Sequence, residues 1–225
     1  MRQLRQRGRE RTVSLTATGA RLDHLLVAVA DLDGAAERFL TQYGLASIGG
    51  GSHGTVGTAN RLIPLGEQYI ELIARVDPAS RHPLAELVAA MSAAGDRLFG
   101  ISVAVDDIDA VAERIGSAVV PMTRANLDGT SVAFRVTGME GSIGPNRLPF
   151  FIEWGDGAEN RLGLERPAHR VGVRGLAWVE LGGDPDQARH WLGGDVAGVR
   201  LVGGEPGVRA AALATDAGEV VVSSP

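Results

Sequence analysis

The 225-residue chain contains no cysteine and no lysine. Without thiols there is no disulfide framework, no thiolate metal ligand and no cysteine nucleophile. Without lysine, Schiff-base chemistry and the lysine of a phosphate-binding loop are excluded as well. The exclusive use of arginine reads equally as the coding bias of a GC-rich genome. No apolar run approaches the roughly 20 residues that span a bilayer. No serine sits in a nucleophile elbow and no H-E-x-x-H occurs, so seryl-hydrolase and zincin readings have no support. The formal net charge of −5 gives no reason to expect nucleic acid or an anionic membrane as partner.

What remains is a chain that is 44% hydrophobic, enough for a sizeable core in one or two domains. Residues 1–20 stand apart: five arginines precede any apolar periodicity, and no hydrophobic region of a secretory signal follows. They read as a disordered basic leader outside the fold, with a nucleic-acid arm or transit peptide as alternatives. A cytoplasmic location is expected.

A pattern then repeats. From Leu22 to Val29 apolar residues run nearly unbroken, as in a strand covered on both faces. Asp31 or Asp33 can cap a helix running to about Tyr43, and Gly44 suits its closing position. Further strands are expected at Leu45 to Ile48, Ala59 to Leu65 and Gln68 to Val76. After a helical linker over 83–95, LFGISVAVDDIDAVAERI aligns without a gap on LLVAVADLDGAAERF when Asp107 is placed on Asp31. Strands at Ala118 to Met122, Ser131 to Thr137 and Pro149 to Trp154 complete a second βαβββ unit. A third begins at Val173, with Asp184 as helix cap and Pro185 in the first turn; its other strands are Val199 to Val202, Val208 to Ala214 and Glu219 to Ser223. The expected organisation is a paired domain over 21–160, made of units 22–76 and 98–156, and a third unit over 170–225.

A tandem βαβββ repeat with a histidine in its first strand and a glutamate in its fourth resembles the vicinal oxygen chelate superfamily. The phrases LDHLLVAVADLDGAAERF, HGTVGTANRLIPLGEQYIELIA and LPFFIEWGD are similar to glyoxalase-like domain proteins. The resemblance implies an α+β fold in which paired modules curl a mixed sheet into a cup, helices outside, with the third βαβββ-like module added. It also implies a metal site fed by the first and fourth strands. Carried over residue by residue, that site would comprise His24, Glu71 and Glu153, with Glu71 either a ligand or the general base. The fourth position is Gly100, so the ligand set is one short. Mn, Ni, Zn, Fe or Mg would suit these donors; the alternative is a metal-free cup with the glutamates paired to arginine or water. The implied activity is that of a metal-dependent isomerase or lyase on a small substrate with adjacent oxygens, or else a sequestering protein without chemistry.

Gly49 to Gly54 fits G-x-G-x-x-G formally, but leads into a strand rather than a helix and reads as a loop over the cup mouth. His53, Asn60 and Arg61 would then orient substrate, and Arg147 repeats Arg61 ahead of a later strand. His82, His169 and His190 read as structural, and Trp154, Trp178 and Trp191 as core anchors. The expected partners are a small-molecule ligand and a second copy of the chain. The third unit should pack on that copy or on the first two units, because a lone βαβββ sheet leaves an open face or edge.

Overall fold

The computed structural model of the chain describes residues 19–125, 130–160 and 164–223. All but the last two residues of the expected leader lie outside them. The first unit comprises β1 (Arg21–Ala28), α1 (Leu32–Tyr43), β2 (Thr58–Pro64) and β3 (Tyr69–Arg75). Helix α2 (Pro83–Ser92) leads to the second: β4 (Arg97–Ala104), α3 (Ile108–Ile115), β5 (Val120–Ala125), β6 (Ser131–Thr137), α4 (Met139–Ile143) and β7 (Phe150–Trp154). The third holds β8 (Val173–Gly183), α5 (Pro185–Leu192), β9 (Val199–Gly203), β10 (Gly207–Thr215) and β11 (Gly218–Ser223).

The first two units form one curled, mixed seven-stranded sheet in the order β2-β3-β1-β4-β7-β6-β5. Strand β1 runs antiparallel to β4 at the seam, and each is flanked by a parallel partner, β3 or β7. The repeat extends to the caps. Asp31 accepts from the backbone N–H groups of Asp33 and Gly34, and Asp107 accepts from that of Ala110. Both helices close on a left-handed glycine, Gly44 at φ 70° and Gly116 at φ 68°.

The units are not identical. The strand expected over Leu45 to Ile48 is reduced to one bridge, Ile48 to Leu62. Three glycines follow it, and they offer no side chains to pack against a neighbouring strand. The expectation of helices outside holds for α1 and α3, which pack on the convex face with Leu25, Val27, Ile101 and Val103. Helix α2 lies inside. Its Leu84 and Val88 pack on the concave face with Leu26, Ile73, Phe99 and Phe150.

The third unit keeps the βαβββ order of elements but pairs its strands differently, as β11-β10-β8-β9. Strand β8 lies parallel to β9 and antiparallel to β10, whereas β4 lies parallel to the last strand of its own unit. Its inner face, with Leu176, Val179, Ala211 and Leu213, shares one core with the seam residues Leu22, Leu25 and Ile101. Gln68 fastens the junction: its amide donates to the Leu22 carbonyl at 3.1 Å and accepts from the Leu176 N–H at 2.7 Å. His169 does similar work, accepting from the Ala46 N–H at Nδ1 and donating from Nε2 to the Pro64 carbonyl at 2.7 Å. Among the described residues no helix is long and apolar enough to cross a membrane.

Candidate functional site

Strand residues alternate between faces, so Asp23 and His24 should point to opposite sides of the sheet. They do not, because β1 carries a bulge. Leu22 pairs with Val103 and His24 with Ser102, leaving Asp23 as the extra residue. Asp23 and His24 are therefore aimed at the concave face together, and both are buried. Asp23 accepts twice, from the Trp154 indole N–H at 2.8 Å and from His24 Nδ1 at 2.6 Å. An ionised carboxylate can only accept, so Nδ1 carries a proton, and in the neutral ring it is Nε2 that presents a lone pair. The ring is clamped by Tyr69, stacked at 4.3 Å, and by the edge contact with Phe150 at 5.6 Å.

His24 Nε2 has no hydrogen-bond partner although it is buried. Glu71 Oε2 stands 3.6 Å away, too far for a hydrogen bond. Glu71 comes from β3, which lies beside β1 with Leu26 opposite Glu71. Its other oxygen accepts from the Asn60 side-chain amide at 2.7 Å. The same amide nitrogen lies 3.2 Å from His53 Nε2, and His53 Nδ1 lies 2.8 Å from the Thr58 hydroxyl. The lone pair of His53 is thereby taken by Asn60. Asn60 Oδ1 in turn accepts from the Gly51 N–H at 2.8 Å. The glycine-rich loop is thus folded down onto Asn60, which holds Glu71.

Gly50 makes that fold possible. A Cβ there would overlap the Asn60 carbonyl, which is backbone and has nowhere to go. Gly50→Ala is expected to lift the loop off Asn60 and cost about 2 kcal/mol, a typical overpacking penalty. Chemical denaturation checks the cost, and loss of His53 side-chain NMR shift dispersion checks the displacement. An unchanged midpoint and spectrum would mean that the loop is not pinned there.

The other expected site residues lie elsewhere. Arg61 pairs across the ladder with Leu72, a convex-face residue, and its guanidinium bonds Asp33 at the start of α1. Arg147 precedes β7 with a left-handed backbone, φ 48°, and donates to the Ile143 carbonyl at 2.8 Å. It lines a groove with Arg97, Phe99 and Arg209. Glu153 is the main correction. It sits between Ile152 and Trp154, which face the cup, and so faces the helices. There it caps α3 by accepting from the Ile108 N–H at 2.9 Å, and it pairs with Arg135. The bond to Glu153, with a further one to Asp109, raises the pKa of the Arg135 guanidinium.

The residues present do not fit a resident divalent cation. The orphaned Nε2 and the carboxylate behind Nδ1 have the form of an oriented histidine ligand, and Glu71 adds a second donor. The mirror half adds nothing. Shifting β1 onto β4 by the spacing that takes His24 to Gly100 also takes Leu26 to Ser102, and these four residues pair with one another at the seam. Leu26 lies opposite Glu71 and Ser102 opposite Phe150, so the places of the missing donors hold Gly100 and Phe150. Among the described residues no group of three or more histidines and carboxylates is placed to hold a metal ion. Zinc-type sites need three or four protein donors.

Sequence reading missed Asp23, Trp154 and Ser102 at this site. Only a lone hydroxyl in the apolar run ISVAV hinted at the last of them.

A family model described as "Glyoxalase-like domain" matches residues 22–196. A hypothetical protein from Staphylococcus aureus superposes with a TM-score of 0.60 at 18% identity, over 84% of this chain and 88% of that one. Methylmalonyl-CoA epimerase from Mycobacterium tuberculosis superposes at 0.42 with 23% identity, over 64% of this chain and 90% of the epimerase. The Streptomyces coelicolor epimerase, solved with 2-nitronate-propionyl-CoA, gives 0.43 and 19% over 60% and 96%. No curated protein matches. Such structural likenesses speak to the fold alone, whereas the family match runs from the start of β1 through α5. The chain belongs to the glyoxalase-like domain family, within the vicinal oxygen chelate superfamily.

Proposed function

We propose that this glyoxalase-like protein is an isomerase or lyase that moves a proton on a small substrate carrying adjacent oxygens, with His24 and Glu71 as its acid–base pair. The observation that carries the reading is the buried, unpartnered Nε2 of His24, its lone pair fixed towards the cup by Asp23. Such an imidazole is a general base held in the correct tautomer. His24 takes a proton from the carbon that bears the hydroxyl group, leaving the electron pair as an enediolate and itself as imidazolium. Glu71 binds the hydroxyl hydrogen and carries it between the two neighbouring oxygens. Returning the proton from His24 to the adjacent carbon gives the isomer; expelling a leaving group from the enediolate gives the lyase outcome.

The test is solvent deuterium exchange at the carbon beside the carbonyl of hydroxyacetone and 2-hydroxyacetophenone, followed by proton NMR. The wild-type chain should catalyse exchange, and His24→Gln should slow it about 10²- to 10⁴-fold, as loss of a general base does. Exchange no faster than buffer on either compound would sink the acid–base reading. The sequestering protein would then be left, which the apolar wall of Phe99, Phe150 and Ile152 favours.

A further inference from the structure

His24 Nε2 is not the only buried polar atom left without a partner on this face. The Ser102 hydroxyl, wholly inaccessible, also has none. The two residues are Cα partners across β1 and β4, so their side chains are immediate neighbours. Buried hydroxyls and imidazoles are nearly always hydrogen-bonded, and two adjacent exceptions point to a group that arrives from outside, reaching them when the side chains that cover both atoms move aside. The pair is chemically complementary to a hydroxyketone. Ser102 can donate to a carbonyl oxygen, while Nε2 faces the neighbouring carbon.

The mirror half of the cup says what the rest of that molecule is. The bulge in β1 has its twin in β4, where Leu26 pairs with Gly100 and Val27 with Leu98, leaving Phe99 as the extra residue. Where the first unit presents Asp23, His24 and Glu71, the second presents Phe99, Gly100 and Phe150. A Cβ built on Gly100 meets nothing within 4 Å, and its backbone lies outside the left-handed region. The glycine is therefore not there for a turn or a close approach. It leaves an open space on the concave face, where the Phe150 ring stands 5.6 Å from that of His24 and the Phe134 and Trp154 rings are 5.5 Å apart.

We propose that the ligand is one-sided: its carbonyl oxygen accepts a hydrogen bond from Ser102 beside His24, and an aryl or similarly flat apolar group fills the space over Gly100 against Phe99 and Phe150. This inference rests on taking the His24 face as the ligand site, as above, and adds the substrate class. Aromatic rings favour such offset and edge contacts, and the polar and apolar walls select a molecule with one end of each kind. Ser102 becomes the donor that meets the growing enediolate charge.

Binding, rather than turnover, tests it. The probes are 2-hydroxyacetophenone and hydroxyacetone, which share the hydroxyketone and differ by phenyl against methyl, titrated into the full chain by NMR. The aryl probe should bind at least about tenfold more tightly, the scale on which apolar pockets discriminate. Gly100→Leu should remove that preference while leaving hydroxyacetone within about twofold, and Gly100→Val does the same service should the leucine variant not fold. Ser102→Ala should weaken both probes alike, by about tenfold for one lost hydrogen bond to a polar group. Equal affinities for the two probes, or an aryl preference indifferent to Gly100, would overturn the proposal, and binding indifferent to Ser102→Ala would overturn its polar half. Aryl preference without deuterium exchange would retain it and remove only the acid–base reading; exchange without preference would do the reverse.

Discussion

Asp23→Ala is expected to lower the free energy of unfolding by about 3–5 kcal/mol, from the loss of two hydrogen bonds to a buried charged group at roughly 1.5–3 kcal/mol each. The carboxylate is buried and serves two donors, His24 Nδ1 and the Trp154 indole. Deleting it removes both bonds and leaves the buried His24 Nδ1 without its acceptor, an orphan that alone costs roughly 1–3 kcal/mol. Asp23→Asn separates the two contributions. The amide has one carbonyl oxygen and can satisfy only one of the donors, so roughly half the loss should remain. Both variants should also slow the deuterium exchange, because His24 is then free to take the other tautomer and turn a proton towards the cup. Urea titration of the three proteins checks the stability. A loss under about 1 kcal/mol for the alanine variant would mean that Asp23 is not the support of this site.

Trp191→Ala should be comparably severe, at about 3 kcal/mol, for a different reason. The indole, on α5, lies over the small residues Gly138 and Gly141, where an added Cβ at either would press on the ring. Its N–H donates to the Pro149 carbonyl at 2.7 Å, and its ring is 6.4 Å from that of Phe151. The side chain therefore plugs the joint between the third unit and β7. Truncation leaves a gap bordered by glycines that cannot lean in to fill it, so little of the lost packing is recovered. Thermal unfolding by circular dichroism measures the loss. A shift corresponding to less than about 1 kcal/mol would show that α5 is held mainly by Ala188 and Leu192.

The distribution of what could be read from sequence has a physical cause. Local signals survived intact: the aspartate caps, the closing glycines and the strand Ser131–Thr137 follow from propensity and spacing. So did the alignment of His24 with Gly100, because a gapless repeat carries its own register. Glu153 failed on parity. FFIEW and YIELI look alike, but sheet pairing places Phe150 opposite the seam residue equivalent to the one opposite Glu71. An odd offset of three residues sends Glu153 to the other face. Arg61 was legible in principle, since neighbouring residues of an unbulged strand cannot both face the cup and Asn60 does. Asp23 was not, because the bulge that turns it inward exists only against β4, more than seventy residues away. The position of α2 was equally hidden. Its apolar stripe requires burial, yet names neither face of the sheet.

The docking of the third unit bears on how the chain is born as much as on how it rests. During synthesis the seam of β1 and β4 is complete once about Ala104 has emerged, but the residues that cover its convex side arrive later, Leu176 and Val179 after some seventy residues more and Ala211 and Leu213 after somewhat over a hundred. At about 5–20 residues per second this leaves several seconds in which Leu22, Leu25 and Ile101 have no sheet over them. A nascent chain paused in that window presents a greasy strip to its neighbours on the polysome and to chaperones. The C-terminal sheet is therefore the step that ends the protein's dependence on protection, and truncations before β10 should accumulate as aggregates rather than as a smaller working domain.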